Sequence, residues 1–562
     1  SRSTLTGMRT LSLIACVSML VLGSGLAEAQ APTQQPILYH RGTINAASLA
    51  PFGLPNASIA RGSIFTTFGE NLGPAQGQQV NTFPLQTTFA NVSMTVTQGT
   101  TTTAAIPIYV SATQINAVMP STVTAGLATL RVTYQTRKSN AITIQIADAS
   151  PGIFTVAGGA GPGVIQNFIS GNNQPVNDSG PPAYRGQVIT IWGTGLGSVP
   201  FPDTVAPTKG NVSTPVSVTI GGQTAIVGYS GRSPCCSGLD QIVVTIPNTA
   251  PLGCWVPVLV TAGGVVSNAT TMAIAATGAD FCSEPGNPLS SLVLTPGIQA
   301  FIHIGQVDTV ENVNTPQPVT KVLQQFYSRF SVRLDEPFAF DPYLSYPPAG
   351  TCNVHQTSGD ASLGKTLRGA TPPSAANSPD MIYNNGTQSI PISSVVLPTV
   401  ATLGGVFNGW QSGMNPASTG ASLTVYPGPL QVVVPVVPVP APSWNRPNAI
   451  IIVPRDAPLS VDFTPGDTAA PTAILLYAYA ASTNSTVEVQ CLAAPGVTTF
   501  TIPSESLANL PLSYRRIDGS YAELIIGTLG VNKLVSFTFL PATRSSGVLL
   551  NSSWVSQSVV IQ

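Results

Sequence analysis

A fourteen-residue pattern that occurs twice at a fixed separation constrains what this chain can fold into more than any other feature. Tyr184 to Gly197 reads YRGQVITIWGTGLG, and Ala60 to Gly73 reads ARGSIFTTFGENLG. Arg61-Gly62 matches Arg185-Gly186, and Gly69, Leu72 and Gly73 match Gly193, Leu196 and Gly197, all at an offset of 124 residues. In each copy apolar and polar residues alternate, in Ile64-Phe65-Thr66-Thr67-Phe68 and in Val188-Ile189-Thr190-Ile191-Trp192. That is the period of a strand, and glycines close it. The match continues downstream: Gln114-Ile115 faces Gln241-Ile242 at an offset of 127, and Ser139-Asn140-Ala141 faces Ser267-Asn268-Ala269 at 128. Offsets that grow along the chain mark loop insertions within one shared topology. Two related β-domains therefore stand in tandem.

Gly193-Thr-Gly195-Leu-Gly197 has the look of a dinucleotide fingerprint, which would need a helix after the turn and an acid about 20 residues on. The following residues, SVPFPDTVAPTKGNVSTPVSVTIGG, are too rich in proline, threonine and valine for that helix. The glycines read instead as a tight turn needing positive φ. No cofactor is expected.

The glycine turn, the VSVTIGGQTAIV hairpin (Val216 to Val227) and the QI…P strand resemble the TIG/IPT type of immunoglobulin-like module. As a pair, they are similar to tandem modules of secreted proteins from acidobacterial (Solibacter-type) soil bacteria. TINAASLAPFGLPNASIARGSIFTTFGENLG, SPGIFT (Ser150 to Thr155), PCCSGLDQIVVTIP and GCWVPVLV carry the likeness, which spans about Arg41 to Ala276. The resemblance implies a sandwich fold and an exported location, and no activity.

Length allows three to five domains that each bury a core. Charged residues make up only 8% of 562, mean hydropathy is +0.27 and the formal charge is −1. Gly, Pro, Ser, Thr, Val and Ala dominate and long helical patterns are missing, which is an all-β composition. Twenty-one scattered Lys and Arg argue against a nucleic-acid partner, which would need a concentrated basic face. Residues 1–29 read as a secretory signal peptide, with Arg9 before an apolar run and Ala27-Glu28-Ala29 as the cleavage site. The run is short of a bilayer span, and no transmembrane segment is expected once it is removed. Leu13-Ile14-Ala15-Cys16 also fits a lipobox, although the apolar run continues past it.

Beyond Cys16, six cysteines remain: Cys235, Cys236, Cys254, Cys282, Cys352 and Cys491. An even count in an exported chain suggests disulfides. Four fall in or just after the second module, so two local bridges are the simplest arrangement, leaving Cys352 with Cys491. Adjacent Cys235 and Cys236 would point to opposite faces of an extended segment and seek different partners. No CxxC motif supports zinc, and no metal is expected.

The expected division is a first module over 30–149, a second over 150–278, and two further β-sandwich-like domains over 289–442 and 443–562. Ala31 to Leu38 reads as a flexible lead and Thr277 to Pro288 as a linker. Prolines in VVVPVVPVPAPSW (Val432 to Trp444) rule out a central strand there. The second half is similar to regions that follow such paired modules, carried by PPAGTCNVHQTSGD, PLQVVVPVVPVPAPSW and C-x-A-x-x-G-x-x-x-F-T-I-P. No G-x-S-x-G or H-E-x-x-H motif is present, and His40, His303 and His355 are the only histidines. His355 near Asp360 is the one candidate base, and Asp335, Glu336 and Asp341 lie close enough together to hold calcium. Trp410 and Trp444, in glycine- and proline-rich segments, are the candidate ligand contacts, whereas Trp192 and Trp255 belong to strands. The function expected is a structural, adhesive or protein-binding role at the cell surface or beyond, without catalysis, towards an extracellular protein or glycan. The alternatives are a carbohydrate-binding adhesin and an extracellular hydrolase with its site in 289–562.

Overall fold

The computed structural model describes residues 34–156, 158–287, 299–313, 319–333, 340, 345–358, 381–384, 389–392, 394–397, 403–412, 422–425, 432–435, 439–445, 451–513, 519–540 and 543–562. The expected leader 1–29, with Cys16, lies outside the described residues, as do Asp335, Glu336, Asp341 and Asp360.

The fold is all-β: tandem immunoglobulin-like sandwiches, followed by a larger β body. In the first module the strands Ile37–Asn45, Ile64–Glu70 and Gln114–Val118 form one layer, and Val92–Gln98, Gly126–Tyr134 and Ile142–Ala147 form the other. Thr101–Val110 joins them, because its first half pairs with Val92–Gln98 and its second with Gln114–Val118. In the second module Val188–Thr194 and Asp240–Thr245 lie at the centre of one sheet, and Gly253–Ala262 at the centre of the other. Alternation along each strand fills the space between the layers, with Phe65, Val92, Ile115 and Leu130 in the first core and Ile189, Ile191, Val218 and Val258 in the second. Full burial of one such side chain stabilises the fold by about 1.5–3 kcal/mol.

The structure explains why the repeated residues repeat. Leu38 pairs with Gly69 and Ile153 with Gly193, so the strand entering each module crosses the same glycine. A Cβ on Gly69 would sit 2.0 Å from the Ile37 carbonyl oxygen, and one on Gly193 would sit 2.4 Å from that of Gly152. These first glycines serve close backbone approach. The positive φ expected of the turn appears at Gly195 and Gly197, and at Asn71 in the first copy. Leu72 and Leu196, at matching positions, are 0% and 1% exposed. The Ser-Asn-Ala motif is a clamp: the Asn140 side chain bonds both the N–H and the carbonyl of Leu38, and Asn268 does the same to Ile153. Preceding it, Ser139 accepts from the Val132 N–H and Ser267 from the Val260 N–H.

Three expectations are corrected. The entering strand starts at Ile37 and buries Leu38 to 2% exposure, so the lead ends earlier than Leu38. The segment after the second module is stitched to it, with Cys282 bonded to Cys254 and Glu284 accepting the N–H groups of Cys254 and Trp255. A boundary between 442 and 443 is not respected by the strands. One ten-stranded sheet orders Cys352–Ser358, Ser485–Ala493, Thr472–Ala480, Tyr521–Leu540, Thr543–Ile561, Gln299–Val313, Val319–Arg333, Leu403–Ser412 and Ser394–Leu397, with Ile451–Val453 beside Thr543–Ile561. Residues from both sides of the expected boundary are thus interleaved, and Cys352–Cys491 joins opposed positions of neighbouring strands. As its prolines dictate, Val432–Pro435 is an edge strand of a separate four-stranded sheet.

Candidate functional site

The clearest concave site lies at the seam between the paired modules. Its floor is a shared apolar cluster in which Ile64, Leu85, Ile106 and Val118 of the first module pack on Val164, Trp192 and Leu239 of the second. Polar bonds fix the two walls. The Ile64 N–H donates to Thr194 Oγ1 at 2.8 Å, and Thr194 passes its own hydrogen to the Gly238 carbonyl. Ser121 donates twice to the Asp203 carboxylate, from its N–H at 2.7 Å and its Oγ at 2.9 Å. The Leu85 N–H reaches the Thr204 carbonyl at 2.7 Å. Between these ties a cavity of about 150 Å³ opens, walled by Phe83, Tyr109, Phe154, Trp192 and the Cys235–Cys236 pair.

That pair is a disulfide between adjacent residues, which corrects the expectation of separate partners. The expectation assumed extended backbone, but residues 234–238 form turns, where neighbouring side chains do not alternate. The Ser233 Oγ accepts the Cys235 N–H within this turn. Cys254 is then bonded to Cys282, and Cys352 to Cys491.

Beneath the seam Arg232, 1% exposed, donates to Asp240 and to the Gly197 carbonyl, and Asp240 also accepts the Leu196 N–H. Burial pushes the Asp240 carboxyl up to about 6, while Arg232 and the turn's N–H groups hold it low enough to stay ionised at neutral pH. This ion pair anchors the repeated glycine turn of the second module. Removing either partner would strand the other charge.

The remaining candidates sit away from this seam. His355 lies in the strand Cys352–Ser358 at 8% exposure, opposite Glu488, which in turn faces Tyr477. Burial pushes the imidazole down to about 4, with Gln490 beside it opposing, and burial raises the Glu488 carboxyl to about 7. His355 packs against the Phe340 ring, which also meets Trp255. It lines neither the seam cavity nor the more open cavity of about 810 Å³ between Pro55, Val266, Ile452 and Arg455. Trp444 is 7% exposed and packs in the core of the C-terminal body opposite Phe463, so it offers no stacking face to a glycan. Trp410 belongs to the strand Leu403–Ser412 and not to a loop, and its side chain lies outside the described residues, as does that of His303. Sequence reasoning missed Phe83, Tyr109 and Phe154 as cavity walls. The two cysteines beside a Ser-Gly turn were the only local signal.

No protein-family model matches the chain, and no curated protein matches it. Among solved structures, the chain is similar to the I9–I11 tandem from titin at 6% identity, covering 67% of this chain and 93% of that one, with a TM-score of 0.13. It is similar to domains 5–6 of the S-layer protein SbsC at 11% identity, covering 43% and 99%, with a TM-score of 0.15. It is also similar to the N-terminal eight Ig domains of Down Syndrome Cell Adhesion Molecule at 8% identity, covering 93% and 71%, with a TM-score of 0.14. Scores this low leave the fold of this chain to rest on its own sheets and cores.

Proposed function

We propose that the chain is an exported, non-catalytic protein with a structural or adhesive role at the cell surface or in the surrounding medium, and that its partner is another protein. The carrying observation is that its bodies bury one another. Leu54 of the first module and Leu259, Val266 and Ala269 of the second join the same core as Trp444, Phe463 and Leu507 of the C-terminal body. Asn509 donates to the carbonyls of Val266 and Ser267, Asn56 bonds Gln356, and Arg41 reaches the Ser482 carbonyl. Domains joined by apolar contact lose the relative motion that linked domains otherwise retain. A stiff block of sandwiches suits a scaffold better than a flexible string does. Three disulfides among the described residues fit an oxidising compartment and the leader expected at 1–29. On this reading the units are TIG/IPT-type modules over 30–149 and 150–278 and one joint C-terminal body.

The test is surface labelling on intact producing cells with a reagent that cannot cross membranes, followed by short-range cross-linking. Labelling from outside together with a discrete protein cross-link is the expected result. Recovery of the chain only from the cytosol, unlabelled, would overturn the reading.

A further inference from the structure

The seam cavity has a shape and a chemistry more specific than a scaffold requires. We infer that it is a binding site for a small, uncharged, single-ring aromatic compound. Size is the first argument: about 150 Å³ is room for one ring. Charge is the second, since no Asp, Glu, Lys or Arg is among the residues that line it. An ionised ligand there would lose hydration with no partner in return. Wall chemistry is the third. Trp192 already donates its indole N–H to Gln166 Oε1 at 2.8 Å, so its ring offers carbon to the cavity. Aromatic Phe154, the cross-strand neighbour of Trp192, and the polarisable sulfurs of Cys235–Cys236 extend that lining and favour an aromatic ring.

The site is also preformed. Leu85–Thr204 and Ile64–Thr194 hydrogen bonds hold the walls from both modules, so a ligand need not order them. Asn81 and Thr82, both exposed, stand at the mouth and, with Gln79, Tyr109 and Ser237 in the lining, can bond a hydroxyl on the ring. The binding is independent of the scaffold role and would persist if that role were wrong.

The experiment is titration of the full chain, disulfides intact, with toluene, phenol, benzoate and naphthalene, followed by saturation-transfer NMR and calorimetry. Toluene and phenol are expected to bind with a Kd below about 1 mM, and benzoate and naphthalene about tenfold more weakly or not at all. Thr82→Trp, which blocks the mouth from an exposed position, and Val164→Phe, which fills the interior, should each weaken phenol binding about tenfold. Thr82→Trp alters no buried residue, and an unchanged thermal transition verifies that it folds. Failure of every compound to bind, equal binding of benzoate or naphthalene, or binding that survives Thr82→Trp would overturn the inference.

Discussion

The paired modules and the C-terminal body reach the same all-β end by opposite routes. In the modules nearly every strand pairs with another from the same hundred-odd residues, and each copy repeats the other's clamps, glycines and leucines at a fixed offset. In the C-terminal body, four neighbouring strands from 472–561 lie between Cys352–Ser358 on one side and four strands from 299–412 on the other, so the sheet is closed by long-range pairings such as Cys352 with Cys491 and Gln299 with Ser546. Local pairing leaves a pattern in the sequence, and long-range pairing leaves almost none. Covalent and polar ties should accordingly matter most where the pairing is long-range.

Opening the bridge across the interleaved sheet should have the largest effect. Cys352–Cys491 closes 139 residues, and its loss through Cys352→Ser with Cys491→Ser should cost about 5 kcal/mol. Chemical denaturation should show that loss in the C-terminal body while the paired modules keep their own transition. Equal loss in both would mean that the two regions unfold as one.

Next comes Glu284, which fastens the segment after the second module. Burial raises its carboxyl to about 7 against a reference of 4.5, with the N–H groups of Trp255 and Cys254 pulling down. A raised folded value means that this contribution is fully present below about pH 4.5 and lost as pH rises through about 7. The wild type should therefore lose on the order of 3 kcal/mol relative to Glu284→Gln across that window. His355 runs the other way, since its lowered value removes stability as pH falls from about 6.5 to about 4. The difference between wild type and Glu284→Gln, followed by denaturation at several pH values, cancels that opposing slope.

A smaller effect compares the two clamps directly. Asn268, 1% exposed, bonds Ile153 twice and the Gly159 carbonyl once, whereas exposed Asn140 bonds only Leu38. Asn268→Ala should cost about 2–3 kcal/mol and Asn140→Ala about 1, because water can reach the exposed Asn140 position and replace its bonds, whereas the buried Asn268 position leaves three bonds unmade. Equal costs in thermal melts would break the claim that burial, and not the motif, sets the energy. The smallest effect is expected at Arg41, an exposed contact from the first module to the Ser482 carbonyl. Arg41→Ala should change stability by less than about 0.5 kcal/mol, leaving the apolar seam to hold the bodies together.

Legibility followed the same divide. Strand period and the Gly69/Gly193 and Asn140/Asn268 pairs made two related modules readable, although the reason for the first glycine was misjudged as turn strain when it is close backbone approach. Trp444 was misjudged because proline-rich surroundings suggest exposure, yet the residue pairs with Phe463 and closes a core. The seam cavity was invisible, since its walls come from positions as far apart as Phe83 and Leu239.

By itself, the sequence determined the all-β class, the tandem repeat and the Ser-Asn-Ala motif that recurs within it, because those depend on alternation and spacing over a few residues. Tertiary structure alone decided that Cys235 bonds Cys236, that strands from both sides of residue 442 share one sheet and that the modules meet around a cavity. Each of those depends on turns and contacts between distant segments, whose energies are set by burial and leave no period in the chain.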